Sequence, residues 1–341
     1  MQATSTARAA GIPFVAGADR AAVASARTAL DGAALTEFGE LAPLVADPAV
    51  TDVFVTGGQV WADRGGGAER APLVLGPERA RALAVALVGA GGRHVDEATP
   101  CADVRLHDGI RVHAVLPPVA VAGAQLSIRL PRVEALSLAA LEASGAFVRV
   151  PLGRVRALVA SRANVLVTGA GGSGKTTLLG AMLAEAGPGE RIVTIEDVAE
   201  LRIRHPHVVA LEARQANAEG AGAVGLERLV REALRMRPDR LVLGECRGAE
   251  VRELLAALNT GHDGGAGTLH ANSLDDVPAR LEALGALAGL SPAALARQAV
   301  SAIGAVLHVE RDAQGRRVAA IGALGLDRER LVVRASAGAG P

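Results

Sequence analysis

Apolar and polar positions follow different rules in the two parts of this chain. Up to about residue 130 the apolar runs are short, and several alternate with polar residues in the period-2 manner of half-buried strands. Thr51–Thr56 and Val60–Asp63 alternate on either side of Gly57-Gly58, which predicts a hairpin. Gly65-Gly66-Gly67 turns the chain into a third short strand, Ala71–Leu75. Ala102–Arg105 and Ile110–Leu116 flank Asp108-Gly109, a second hairpin signal, and Gln125–Leu130 is a strand closed by Pro131. Helical spacing is predicted for Arg20–Phe38, Leu41–Val45 and Pro77–Gly89, with Leu83, Val85 and Leu87 among the apolar positions of the last. These elements predict a small α/β domain with a largely antiparallel sheet over residues 19–135, preceded by a flexible Ala- and Gly-rich terminus over 1–18.

Two helices, Leu136–Phe147 and Leu152–Ser161, make a linker over residues 136–163. From Asn164 short buried apolar runs alternate with helical ones, as in a mostly parallel sheet. The predicted strands are Val165–Thr168, Arg191–Ile195, Val208–Leu211, Arg240–Leu243 and Ala266–Leu269. The predicted helices are Thr176–Ala186, Leu226–Met236, Ala249–Asn259 and Val277–Ala288, and a hairpin around Gln314-Gly315 ends a second domain spanning 164–335. The fold class is therefore α/β in both parts.

Composition narrows the function classes. Lys plus Arg and Asp plus Glu balance at 36 each, so no net charge draws the chain to nucleic acid or an anionic membrane. The chain has no Tyr, one Trp and four Phe, which leaves few aromatic platforms for stacking bases. Two cysteines, Cys101 and Cys246, make no disulfide framework. No secretory signal pattern opens the sequence and no apolar run is long enough to span a bilayer, so a cytosolic protein is expected.

One stretch carries explicit chemistry. Gly169, Ala170, Gly171, Gly172, Ser173, Gly174, Lys175, Thr176 and Thr177 fit the phosphate-loop spacing between a strand and a helix. Glycines let backbone N–H groups point at phosphates, and the helix start adds its positive dipole end. Lys175 would reach the β- and γ-phosphates of ATP, and the Thr176 hydroxyl would ligate Mg²⁺. Three polar clusters follow at predicted strand ends, where open α/β sheets bind ligands. Thr194 to Glu200 carries Glu196, Asp197 and Glu200; Leu241 to Gly248 delivers Glu245; and residues 261–273 hold His262 and His270 around a glycine-rich turn. Carboxylates there suit activation of water or a Mg²⁺ shell, and Glu245 joins Thr176 as a metal-ligand candidate. The two histidines flanking the glycine-rich turn are candidates for a γ-phosphate sensor or a domain coupler, with His270 placed in the catalytic set. Zinc is not expected at His262 and His270, because no third soft ligand lies close in sequence.

Taken together, GAGGSGKTT (169–177), TIEDVAEL (194–201), RMRPDRLVLGECRG (235–248) and NTGHDGGAGTLHANS (259–273) resemble the motifs of secretion and type IV pilus traffic ATPases. With DVRLHDGIRVHAVLPP (103–118) and LSIRL (126–130), the chain looks most like the TadA/CpaF branch of Tad/Flp pilus assembly and conjugal-transfer ATPases. Gly171 stands where Thr is usual, and Cys246 where an aliphatic is usual; neither removes a phosphate or metal ligand. The resemblance implies an N-terminal PAS-like domain followed by a RecA-like P-loop NTPase domain. It also implies a hexameric ring, peripheral at the inner face of the cytoplasmic membrane and partnered by membrane platform proteins. By the same resemblance Arg111 and Arg129, with Arg105 behind them, act as arginine fingers, and Lys175, Glu196, Glu200, Glu245 and His270 form the catalytic set. The division of roles between Glu196 and Glu245 stays open at this point, with Glu200 a rival. Two other readings are a DNA-stimulated motor acting directly on DNA and a small-molecule P-loop kinase. Neutral charge and scarce aromatics weigh against the first, and the His box with its appended domain against the second.

Overall fold

The computed structural model describes residues 32–107, 109–130, 135–214, 221–312 and 315–336. They form two units, one built on residues 32–130 and the other on residues 135–214 and 222–336.

The first unit runs α1 (Gly32–Thr36), α2 (Ala42–Ala46), β1 (Asp52–Thr56), β2 (Gln59–Asp63), β3 (Ala68–Val74), α3 (Pro77–Ala90), β4 (Cys101–Leu106), β5 (Ile110–Val115) and β6 (Gln125–Arg129). Its strands make one antiparallel sheet in the order β3-β2-β1-β6-β5-β4. The predicted alternation is what forms it. Val53, Val55, Val60, Ala62, Val104, Val112, Ala114, Leu126 and Ile128 are all buried in one core with Leu83, Ala84, Leu87 and Val88 of α3. Val85 is not part of that core and stays 39% exposed. A 3.6-residue turn cannot put positions 83, 85 and 87 on one stripe, so the sequence expectation for Val85 is corrected. The predicted helix Arg20–Phe38 lies mostly outside the described residues, as do segment 1–18, Asp108 and Gln314; within them Gly32–Thr36 is helical.

The second unit continues with α4 (Leu138–Ala143), α5 (Leu152–Ala160), β7 (Val165–Gly169), α6 (Lys175–Leu183), β8 (Ile192–Glu196), β9 (Val208–Glu212), α7 (Leu226–Leu234) and β10 (Arg240–Cys246). It ends with α8 (Glu250–Leu258), β11 (Ala266–His270), α9 (Val277–Leu287), α10 (Pro292–Ala302), β12 (Ala305–Asp312), β13 (Gly315–Asp327) and β14 (Arg330–Ala335). The sheet order is β14-β13-β12-β7-β11-β10-β8-β9. Strands β12, β7, β11, β10, β8 and β9 pair in parallel, and β13 and β14 add two antiparallel strands beyond β12. Strands β7 and β8 are buried at every position, which is why they read as unbroken apolar runs.

Two hydrophobic clusters serve this sheet. One gathers apolar residues of α7, α8, α9 and α10, and the other those of α4, α5 and α6. Three elements differ from expectation. Helix α4 is shorter than Leu136–Phe147, because Ser137 caps its start and Gly145, at φ +84°, ends it. Helix α10 went unread, although Ser291 accepts from Ala294 N–H and Pro292 occupies its first position. The expected terminal hairpin is a three-stranded meander, since β13 runs on to Asp327 and pairs with β14. Among the described residues no helix is long and apolar enough to cross a membrane.

Candidate nucleotide site

Strand β7 sits between β12 and β11, and its carboxyl end delivers the chain into the 169–177 loop. Gly169 has φ +151°, and a Cβ there would lie 2.3 Å from the Val309 carbonyl oxygen of β12 and 2.6 Å from Ser173 Oγ. Only glycine fits that place. Gly174 forms the N-cap of α6 in the left-handed conformation, and no side chain caps the helix. The N–H groups of the first turn are thus not taken by a capping side chain, as an anion site requires. Ser173 Oγ is buried and has no hydrogen-bond partner among the described residues, a second polar atom suited to a ligand.

Lys175, 7% exposed, folds back over the loop. Its ammonium donates to the carbonyl oxygens of Gly169 and Ala170, both at 3.0 Å, and lies 3.4 Å from His270 Nε2. Burial holds its pKa below the ordinary lysine value, while the nearby carboxylates of Glu245 and Glu200 act in the opposite sense. His270 comes from the carboxyl end of β11, which pairs directly with β7, so register alone sets His270 beside Gly169. Its Nε2 lies 2.8 Å from Glu245 Oε1. Burial, and then the Lys175 charge, lower the His270 pKa more than Glu245 raises it, so the ring is neutral at pH 7. A neutral ring beside a carboxylate carries its hydrogen on the facing nitrogen, so Nε2–H donates to Glu245 and Lys175 is a charge neighbour.

Glu245 lies near the end of β10, its side chain 22% exposed. Its second oxygen accepts from Arg247 Nε at 2.7 Å, and Arg247 Nη1 is 3.7 Å from Asp197. Two further residues hold this corner. Glu250 Oε1 accepts from the N–H groups of Arg247 (2.6 Å) and Gly248 (2.7 Å), and Arg280 Nε donates to the His270 carbonyl at 3.1 Å. Sequence reasoning missed Arg247, Glu250 and Arg280. Only the Arg247 position, two residues past Glu245 on a strand exit, gave a readable signal.

Glu196 is placed differently. At 5% exposed, its Oε1 accepts from Glu200 N–H (2.9 Å) and Leu201 N–H (3.0 Å), closing the turn after β8. Its side chain lies so close to β10 that a Cβ on Gly244 would stand 2.4 Å from Glu196 Cγ. Glu200 itself is exposed. Of the candidate carboxylates, Glu245 is the one joined to His270. His262 does not join the site; its Nδ1 lies 3.1 Å from the Ala257 carbonyl. Cys246 is buried, and desolvation pushes its thiol pKa up, so it carries no reactive thiolate.

In the first unit the three arginines fall on one rung of the sheet. Arg105 is opposite Arg111, Arg111 opposite Arg129, and Arg129 opposite Asp52, which it also meets as an ion pair at 3.2 Å. All lie on the face away from the α3 core, alternating with Val104, Val112 and Ile128. Like charges directly opposite on a sheet are unfavourable, and an anion over that rung would offset the cost.

Residues 75–313 match the family described as "Type II/IV secretion system protein". The chain belongs to that family. It is a nucleotide-binding, NTP-hydrolysing ATPase of that secretion family. A Mycobacterium tuberculosis protein named "Putative conjugal transfer protein" is 53% identical over 291 residues, covering 83% of each chain. The conjugal transfer protein TrbB of Rhizobium radiobacter is 34% identical over 62% of this chain and 63% of its own. The pilus retraction motor PilT with bound ADP has the same fold, with TM-score 0.58, 21% identity, and coverage of 84% of this chain and 80% of its own.

Proposed function

We propose that this chain hydrolyses ATP to ADP and phosphate on the 169–177 loop and so powers conjugal transfer. The observation that carries the site is the convergence of Lys175, His270 and Glu245, from three different elements, on the carboxyl end of β7. On binding ATP, Lys175 exchanges its two backbone carbonyls for the β- and γ-phosphate oxygens, and the first-turn N–H groups of α6 take the remaining charge. Glu245 holds the attacking water, its carboxylate fixed on one side by His270 and on the other by Arg247. Glu245 takes a proton from the water as its oxygen adds to the γ-phosphorus, and the bond to the bridging oxygen breaks. ADP leaves with the electron pair, and the proton passes on to the released phosphate. His270, neutral, senses the γ-phosphate beside it. Thr176 and Glu245 are oxygen donors suited to Mg²⁺, a hard cation that keeps several waters and neutralises phosphate charge. Glu196 shapes the turn from which Glu200 faces the site. Arg111 and Arg129 supply guanidinium donors to the transferring phosphoryl group. The working form we propose is a hexameric ring at the cytoplasmic membrane, seated on membrane platform proteins.

Relatives named for conjugal transfer favour that cargo system. The Tad/Flp pilus reading rests on the motif resemblance alone. Phosphate release by the purified chain tests the site: Lys175→Ala should abolish it, and normal turnover in that variant overturns the assignment. Turnover should not rise on adding DNA; a DNA-stimulated rate would revive the motor that acts on DNA directly.

A further inference from the structure

The β12–β13 hairpin lies outside the residues assigned above, yet it touches the phosphate loop at two places. The Val309 carbonyl of β12 packs against Gly169, and Arg316 Nε of β13 donates to the Gly172 carbonyl at 2.8 Å. The peptide that Arg316 holds is tied at its other end as well, because Ser173 N–H donates to the Ala170 carbonyl at 3.3 Å. That same carbonyl accepts from Lys175 Nζ at 3.0 Å. One peptide and one shared oxygen thus link the Arg316 guanidinium to the Lys175 ammonium. The ladder sets Arg316 directly opposite Arg311, a like-charge pair that is unfavourable in itself.

We propose that Arg316 is a positioning residue for nucleotide: it fixes the Gly172–Ser173 peptide and so presets the loop backbone for phosphate. The loop has glycine at 169, 171, 172 and 174, and glycine loses the most conformational freedom on ordering. A guanidinium on one carbonyl removes part of that freedom before nucleotide arrives, which lowers the cost of binding. The effect belongs to affinity and not to the chemical step, since the group Arg316 holds, the Gly172 carbonyl, moves no proton and takes no part in the bond that breaks. The proposal rests on the phosphate-loop reading, and the two fail differently.

The test compares Arg316→Ala, Arg316→Gln and Arg316→Lys in the full-length chain. Readouts are ATP turnover, the affinity for a fluorescent ADP and the melting temperature. Arg316→Ala should raise KM and weaken ADP binding about tenfold, the size of one charge-assisted hydrogen bond. Saturated kcat should stay within about twofold, and the melting temperature should hold. Arg316→Lys, which can still donate to the Gly172 carbonyl, should recover part of the affinity; Arg316→Gln, which keeps a neutral donor, should fall between Lys and Ala. Arg311→Ala should leave KM unchanged. An unchanged KM in Arg316→Ala overturns the proposal, as does a fall in kcat and melting temperature that Lys does not repair. An equal KM rise in Arg311→Ala would mean that only general positive charge matters. If instead Lys175→Ala keeps normal turnover, it is the phosphate-loop assignment that fails.

Discussion

Glu196 and Glu245 are both strand-end glutamates, and substituting each by glutamine separates their work. Glu196 is 5% exposed, with Oε1 accepting from the N–H groups of Glu200 and Leu201 and Oε2 approaching Leu201 N–H at 3.3 Å. Glutamine keeps Oε1 for both main bonds. What is lost is the charge assistance, which roughly halves each bond, about 1 kcal/mol apiece. The new amide –NH₂ also faces the Leu201 N–H. Against that, a neutral amide is cheaper to bury than a carboxylate. The net cost for Glu196→Gln is about 1 kcal/mol, a drop of about 2–4 °C in melting temperature for a domain of this size. Turnover should stay within about fivefold, a tolerance of about 1 kcal/mol in barrier. Glu245→Gln should do the reverse: it keeps a neutral hydrogen bond to His270 but removes the carboxylate that faces water and Arg247. Loss of a positioned base costs about 10²–10⁴ in rate, with little change in melting temperature. The assay is phosphate release under saturating ATP beside thermal unfolding of the same preparations. If Glu196→Gln loses as much turnover as Glu245→Gln and melts like wild type, the scaffold reading of Glu196 is refuted.

The other predictions are shorter. The His270 pKa lies below its ordinary value, so folding favours the neutral ring. Its stability contribution is full above the unfolded value near pH 6.5 and is lost as pH falls through the lower folded value. The acid limb of kcat/KM, which reports the nucleotide-free protein, should therefore sit below about pH 6.5, and His270→Asn should remove that limb; an acid limb of kcat/KM above pH 7 contradicts the neutral ring. Arg111→Ala and Arg129→Ala should spare ADP affinity while lowering turnover about 10²-fold or more, the scale of a lost transition-state donor. Loss of ADP binding together with an unfolded first unit would assign them a structural role instead.

Much of the fold was legible because its signals are local. Glycine pairs between alternating runs announced the β1–β2 hairpin, and unbroken apolar runs announced β7, β8 and β10. Helix α10 was not legible, because its alanine-rich sequence has only Leu295 as a large buried residue and so no stripe to read. The loop and its lysine were legible from spacing, and the pairing of His270 with Gly169 followed from no spacing at all. Lys175 and His270, 95 positions apart, meet there because β11 pairs with β7 in parallel. Arg316 and Glu250 were hidden for the same reason. Each acts through a backbone group, and a backbone partner leaves no mark on residue type.

The resting contacts of Lys175 make nucleotide binding an exchange. The ammonium is buried and already holds two carbonyl oxygens, so the loop is closed upon itself before any phosphate enters. Neutral carbonyls satisfy the donors without balancing the charge, which is why burial still lowers the lysine pKa. A phosphate would supply both, so on the proposed reading the exchange gains the difference between a neutral and an ionised acceptor. The gain grows with the number of phosphate charges within reach, which favours ATP over ADP at Lys175. It also reaches His270: with the Lys175 charge paired to phosphate, one of the influences that lower the histidine pKa weakens. The ring is then easier to protonate with nucleotide bound than without. A nuclear magnetic resonance titration of His270 should therefore show its pKa rising when ATP binds in Glu245→Gln, a variant that holds the nucleotide unhydrolysed. A fall in that value would show that Lys175 keeps its backbone contacts and that the exchange does not occur.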